Sequence, residues 1–248
     1  MKEIISEWSE QNGIPISPET RQQFITYASL IDDANRKFNI TGFKTGEEIL
    51  KNLILGSLEP LYDISVPRGT KFVDIGSGAG VPGIVLGLFF KEISGLLIES
   101  NHKKADFIRR TANELGLKTI DVIHDRAENI ANLKNFRESF DWCFSRALAS
   151  PYIACEIGAP FIKINGTLFI YSNGSADDLQ SEVIKHALKT GLSILPQSER
   201  GSLRIKQKGI ILKKTRSTPQ AYPRAFAAIK RDAETVKGGG IEEPADDI

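Results

Sequence analysis

Three glycines at alternate positions, Gly76, Gly78 and Gly80, follow directly on an apolar run that carries a single acid, Phe72-Val-Asp74-Ile75. Pro82 and Gly83 come next, and then a second apolar segment, Ile84 to Phe90. This order predicts a strand, a tight turn and a helix. Glycine is required there because side chains would keep a ligand from the backbone N–H groups, and because such turns often need positive φ. The chemistry that such a turn offers is the capture of a nucleotide-like ligand.

Gly78, Gly80 and Gly83 also satisfy the dinucleotide pattern G-x-G-x-x-G. Asp74 argues against a dinucleotide, because a carboxylate at the strand end would repel a pyrophosphate but receive a cationic amino group. S-adenosyl-L-methionine carries an ammonium and a sulfonium and no phosphate, so an acidic strand end beside a glycine loop suits it. Glu99 closes the next apolar run, Leu96 to Ile98, near the spacing at which an acid grips ribose hydroxyls.

A second chemical feature lies far downstream. Between Arg200 and Arg231 there is no acid, while Arg200, Arg204, Lys206, Lys208, Lys213, Lys214, Arg216, Arg224, Lys230 and Arg231 are all basic. Such a block is what phosphate contacts require; from charge alone, a solvated hairpin face explains it equally well. The net charge of the whole chain is only +1 and gives no global argument for nucleic acid. Cys143 and Cys155 each sit in or beside an apolar stretch and read as core residues. His102, His124 and His186 are scattered, so neither a metal site nor an acid–base site is expected.

The elements that must position these residues follow from periodicity. A chain of 248 residues, 41% apolar and 25% charged, suffices for one sizeable α/β domain with an appendage. Residues 1 to about 65 show helical spacing (Ile4, Ile5 and Trp8, then Phe24, Ile25, Leu30 and Ile31), with Ser17-Pro18-Glu19 as a helix start, a break at Asn39 to Gly42, and a further helix from Glu47 to Leu61. From Lys71 strands and helices alternate. Gly95–Glu99, Ile120–His124, Phe140–Ser145 and Gly166–Ser172 read as strands two to five, and Lys103–Leu115 as a helix. Leu192–Leu195 and Gly209–Lys213 would close the sheet as an antiparallel pair. The expected fold is a Rossmann-like, seven-stranded doubly wound α/β sheet of the class I methyltransferase type. The expected division is a helical cap at 1–66, a catalytic-type domain at 67–231, and an acidic, glycine-rich, disordered tail at 232–248. No leader and no apolar run of membrane-spanning length occurs, which predicts a cytoplasmic protein.

Several separated motifs carry a family resemblance: Asn39-Ile-Thr41, Val73-Asp-Ile-Gly-Ser-Gly-Ala-Gly-Val-Pro-Gly83, Arg126-Ala127-Glu128, Ser145-Arg146-Ala147, and the helix Lys103–Leu117. On these the chain resembles the RsmG (GidB, glucose-inhibited division protein B) family over about residues 20 to 215. The resemblance implies a methyltransferase that uses S-adenosyl-L-methionine to methylate N7 of a guanine in 16S ribosomal RNA, acting on the RNA or the 30S subunit; a monomer is the expected state. It also implies that Gly76, Gly78 and Val81 line the methionine end of the cofactor, that Ala127 and Glu128 meet the adenine, and that Arg146 belongs to the cofactor site and holds a substrate phosphate. Asp74 and Glu99 join the cofactor set. Lys213, Lys214, Arg216 and Arg224, with Arg36, Lys37 and Lys44 of the cap, are the expected RNA contacts.

The expected chemistry needs no catalytic acid or base. Guanine N7 has an in-plane lone pair and no proton to lose, so transfer needs only alignment, apolar packing about the sulfonium and a dry site. Consistently, the Asn/Asp-Pro-Pro-aromatic motif of amino-group methylation is absent after strand four, and neither cysteine is placed as a pyrimidine nucleophile. The chain departs from the family pattern on the acceptor side. A His-x-x-Asp-Ser run is replaced around Asn52, Gly56 and Ser57; a Lys-Gly after strand five becomes Asn173-Gly174; and a Pro-Arg-rich segment survives only as Tyr222-Pro223-Arg224. These departures keep two alternatives open, a methyltransferase with another acceptor and a non-catalytic cofactor-binding protein associated with RNA.

Overall fold

The computed structural model describes residues 1–61, 66–146, 148, 150–172, 179–194 and 209–237. It opens with α1 (Lys2–Asn12) and α2 (Pro18–Asn35); the Ser17 hydroxyl accepts the Thr20 N–H at 3.1 Å, and Pro18 occupies the first turn where its missing donor is not needed. The helix expected over Glu47–Leu61 is instead broken. A one-turn α3 (Gly46–Glu48) runs into a π-helical segment, Ile49–Ile54, and then into 3-10 turns at Leu55–Ser57 and Glu59–Leu61. Apolar spacing alone does not separate these winding modes, since all of them bury Ile49, Leu50, Ile54 and Leu55.

Seven strands follow: β1 (Lys71–Ile75), β2 (Ser94–Glu99), β3 (Ile120–His124), β4 (Phe140–Arg146), β5 (Ile162–Tyr171), β6 (Leu192–Ile194) and β7 (Ile210–Lys214). Their order across the sheet is β3-β2-β1-β4-β5-β7-β6; β1 to β5 are parallel, and β7 runs antiparallel between β5 and β6. The chain order reverses between β1 and β4, which is where open α/β sheets place their ligand crevice. The covering helices are α4 (Gly83–Phe89), α5 (His102–Glu114), α6 (Ala127–Ile130), α7 (Pro151–Gly158), α8 (Ser181–Thr190) and α9 (Phe226–Lys237). The expected sheet is thus present, with its antiparallel ending. Strand five begins earlier than expected, at Ile162.

Alternate strand residues enter two cores, one on each face of the sheet. Phe72, Leu97 and Phe144 pack with Ile5, Phe24, Tyr27 and Ile31 of the N-terminal helices, while Val73, Ile98 and Cys143 pack with Ile157, Val183 and Ile229 of α7 to α9. The N-terminal helices therefore share one core with the sheet. The boundary expected at 231/232 falls inside α9, where Ala233 is 3% exposed. Residues 238–248 of the expected tail lie outside the described residues.

Candidate functional site

The sheet register brings most of the anticipated ligand residues to one edge. Ile75 of β1 is level with Ile98 of β2 and Ser145 of β4, and Glu99 pairs with His124 at the end of β3. The glycine turn, Glu99, Ala127–Glu128 and Arg146 therefore stand side by side at the carboxyl ends of four neighbouring strands. Gly76, Gly78 and Gly80 have φ of 70°, 57° and 92°, the left-handed region that glycine reaches without steric cost. A Cβ on Gly76 would lie 2.5 Å from Leu148 Cδ1, whereas one on Gly78 would meet nothing within 4 Å, so the loop is open on the Gly78 side.

Glu99 is anchored rather than solvated. Its Oε2 accepts the Gly78 N–H at 2.8 Å and its Oε1 accepts the Asn101 N–H at 2.7 Å. Each oxygen keeps a further lone pair for a hydroxyl donor. Asp74 differs from its expected place, since it is fully buried beneath the loop. Its Oδ2 accepts the Gly83 N–H at 3.0 Å, tying the strand to the start of α4, while Oδ1 has no hydrogen-bond partner. Burial pushes its carboxyl up to about 7; the Gly83 N–H and the Ser77 hydroxyl work against that rise, the Glu99 charge adds to it, and Arg146 opposes it. An orphaned buried oxygen beneath an open glycine turn fits a cationic ligand above it.

Val81, expected to face the cofactor, directly follows the loop, is 4% exposed and belongs to the core between cap and sheet. Ala127 is likewise buried, and Glu128 Oε1 accepts from Arg126 Nε at 2.7 Å. The Arg126 guanidinium also lies 4.8 Å over the ring of Phe226, so the end of β3 is linked to the C-terminal helix. Arg146 does not reach outward for a phosphate. Its Nη1 donates to the Leu53 carbonyl at 2.8 Å and its Nη2 to the Asn52 carbonyl at 2.9 Å.

The downstream basic residues stand elsewhere. Because β7 is antiparallel, Ile210 is level with Ile170 but Lys213 is level with Thr167, four residues back along β5 from Tyr171. At about 3.3 Å per residue that is about 13 Å from the glycine-turn edge. Lys214 is fully buried, donating to the Ala159 carbonyl at 2.5 Å and to Thr218 Oγ1, with Glu138 Oε1 at 3.4 Å. Arg216 donates to the Leu188 carbonyl at the end of α8. Arg224 is clamped by Glu156 and Asp232. The expectation that Lys214 contacts RNA is corrected by its burial, whereas Arg216 stays exposed and Arg224 half-buried, each with a partner within the chain. Arg200, Arg204, Lys206, Lys208 and Asn173 lie outside the described residues.

Sequence reasoning missed two tyrosines. Tyr27 OH, buried in α2, donates to the Ala79 carbonyl at 2.8 Å and so fixes the glycine loop from the opposite layer. Tyr171 OH donates to the Ser57 carbonyl at 2.7 Å. The only signal for Tyr171 was its place at the end of the fifth apolar run; Tyr27 is hidden among helical core positions. Among the described residues no group of three or more His, Cys, Asp or Glu side chains is arranged to hold a metal ion, and no helix is long and apolar enough to cross a membrane.

The family model described as rRNA small subunit methyltransferase G (GidB) matches residues 20–195. The chain is 33% identical over 224 residues to ribosomal RNA small subunit methyltransferase G of Moorella thermoacetica, covering 89% of this chain and 93% of that one. It is 32% identical over 225 residues to the protein of the same name from Clostridium botulinum, with 90% and 94% covered. Among solved structures, a chain from the complex of the Haloferax volcanii Trm112 methyltransferase activator with a methyltransferase superposes with a TM-score of 0.52 at 13% identity, over 76% of this chain and 99% of that one, a likeness of fold.

Proposed function

The chain belongs to the rRNA small subunit methyltransferase G (GidB) family, and from that premise we infer that it methylates N7 of a guanine in 16S ribosomal RNA. It is an S-adenosyl-L-methionine-dependent rRNA methyltransferase, and we place its action in the cytoplasm, as a monomer, on the RNA or the 30S subunit. The observation that carries this reading is the gathering of the glycine turn, Glu99, Ala127–Glu128 and Arg146 at the adjoining ends of β3, β2, β1 and β4.

The bound cofactor would supply an electrophilic methyl group on a sulfonium. The chain's own residues bind, orient and exclude water. The open glycine turn offers backbone at close approach, and the remaining lone pairs of Glu99 would accept hydrogen bonds from ribose hydroxyls. The Asp74 carboxylate, held under the turn by Gly83, places negative charge beneath a cationic ligand. Ala127 offers an apolar surface for the adenine, with Glu128 beside it. None of these groups needs to move a proton for transfer to a ring nitrogen that has none to lose.

Transfer of labelled methyl from S-adenosyl-L-methionine to unmodified 30S subunits and to free 16S RNA tests the assignment. Label recovered as 7-methylguanosine is expected. Label in another nucleoside would assign a different acceptor, and cofactor binding without label would make this a binding protein.

A further inference from the structure

The π-helical segment Ile49–Ile54 and the turn after it are fastened to the sheet edge by two side chains from adjacent strands. Changes of helical winding leave carbonyls without their regular partners, and each must be satisfied elsewhere. Here four of the carbonyls take side-chain donors. The Asn52 and Leu53 carbonyls accept from Arg146, the Ile54 carbonyl accepts from Ser57 Oγ at 2.6 Å, and the Ser57 carbonyl accepts from Tyr171 OH. Arg146 and Tyr171 are the last residues of β4 and β5, are register partners, and stack with the guanidinium 5.4 Å from the ring centroid.

The placement has a functional consequence. Glu99, Ala127 and Glu128 stand on the β2 and β3 side of the glycine turn, the side assigned to the nucleoside. The strapped segment lies on the other side, at the ends of β4 and β5, with Lys51 and Asn52 exposed on it. We propose that Tyr171 and Arg146 are positioning residues that hold the segment Ile49–Ser57 as the acceptor-side wall of the site. This rests on the rRNA methyltransferase reading above. The π-helical winding sets which faces of Lys51 and Asn52 meet the RNA, and the two tethers keep that winding in register with the glycine turn.

Tyr171→Phe keeps the ring and its stacking but deletes the hydroxyl donor, so it removes one tether with the least disturbance to packing. Three quantities are measured on the full chain: amide hydrogen exchange, the dissociation constant for S-adenosyl-L-methionine by calorimetry, and kcat and KM for unmodified 30S subunits. Expected are at least tenfold faster exchange at Leu55 to Leu58, cofactor affinity within twofold of the parent, and about a tenfold loss in kcat/KM for the RNA, carried mainly by KM. Arg146→Lys, which cannot fork across two carbonyls, is expected to shift exchange at Lys51 to Leu55 in the same sense. Faster exchange with an unchanged kcat/KM would overturn the acceptor-wall role, and unchanged exchange would overturn the tether. A parent protein that binds the cofactor but labels no rRNA would overturn the methyltransferase reading and the wall with it, whatever the exchange shows of the tether.

Discussion

Two buried ionisable side chains make stability and binding depend on pH. Asp74 holds a carboxyl raised to about 7, so at neutral pH its ionised form is only partly populated in the absence of a cation. A cationic ligand favours the ionised form, and its affinity is expected to tighten as pH rises from 6 to 7, below the range of about 7.7–8.0 where an α-amino group loses its own proton. Because the folded value lies above the ordinary 3.8, the contribution of Asp74 to stability is complete below about pH 4 and declines as pH rises towards 7. Asp74→Asn should therefore raise the melting temperature of the free protein at pH 8 while weakening cofactor binding about tenfold and removing its pH dependence over 6 to 7; calorimetry at three pH values checks both. Lys214 is the second case. Burial lowers its ammonium to about 8, and Glu138 only partly restores it. A lysine depressed in this way destabilises the fold when charged, so its contribution improves as pH rises from about 8 towards 10.5. Lys214→Met leaves the Ala159 carbonyl and Thr218 hydroxyl without their donor, at a cost of about 2 kcal/mol. The salt dependence of RNA binding should stay as it was; a shallower slope would restore Lys214 as a phosphate contact.

At the scale of elements, the C-terminal helix is joined to the sheet layer through a buried acid. Glu156 of α7 is fully buried and accepts the Arg224 backbone N–H at 2.9 Å, Arg224 Nε at 2.9 Å and Nη2 at 2.7 Å, while His186 Nε2 lies 3.0 Å from Oε2. Arg224 also holds Asp232 of α9 at 2.6 Å. Burial alone would raise the Glu156 carboxyl, but the close His186 ring and the hydrogen bonds and charge of Arg224 outweigh that and hold it down at about 2. The stability it contributes is present above about 4.5 and is lost as pH falls towards 2. Glu156→Gln removes the buried charge facing the guanidinium, leaving it the pairing with Asp232, and is expected to cost about 3 kcal/mol, with α9 exchanging first and a flatter dependence of the urea midpoint between pH 5 and 3. The surviving Tyr222-Pro223-Arg224 motif thus serves α9 docking, and through Phe226 and Arg126 it steadies the end of β3 beside Glu128.

For the molecule as a whole, the N-terminal helices and the sheet share one core, in which Phe24, Tyr27 and Ile31 pack with Phe72, Leu97 and Phe144. Unfolding should accordingly be a single cooperative transition, with calorimetric and van't Hoff enthalpies equal; two resolved transitions would show that the cap folds separately. The sequence by itself determined the local pieces: the alternation of strands and helices, the glycine turn after Ile75, the acid at Glu99 and the antiparallel ending. Each is written in short-range periodicity or in a residue type that a turn requires. Tertiary structure alone decided the rest. A run of basic residues looks uniform in sequence, yet the antiparallel direction of β7 carries Lys213 away from the ligand edge, and burial turns Lys214 into an internal staple. Tyr27 meets Ala79 and Tyr171 meets Ser57 across 52 and 114 positions of chain, and Arg146 closes on carbonyls 93 and 94 positions away. Contacts at such separation depend on strand order and register, which arise from the packing of the whole chain and leave no local pattern to read.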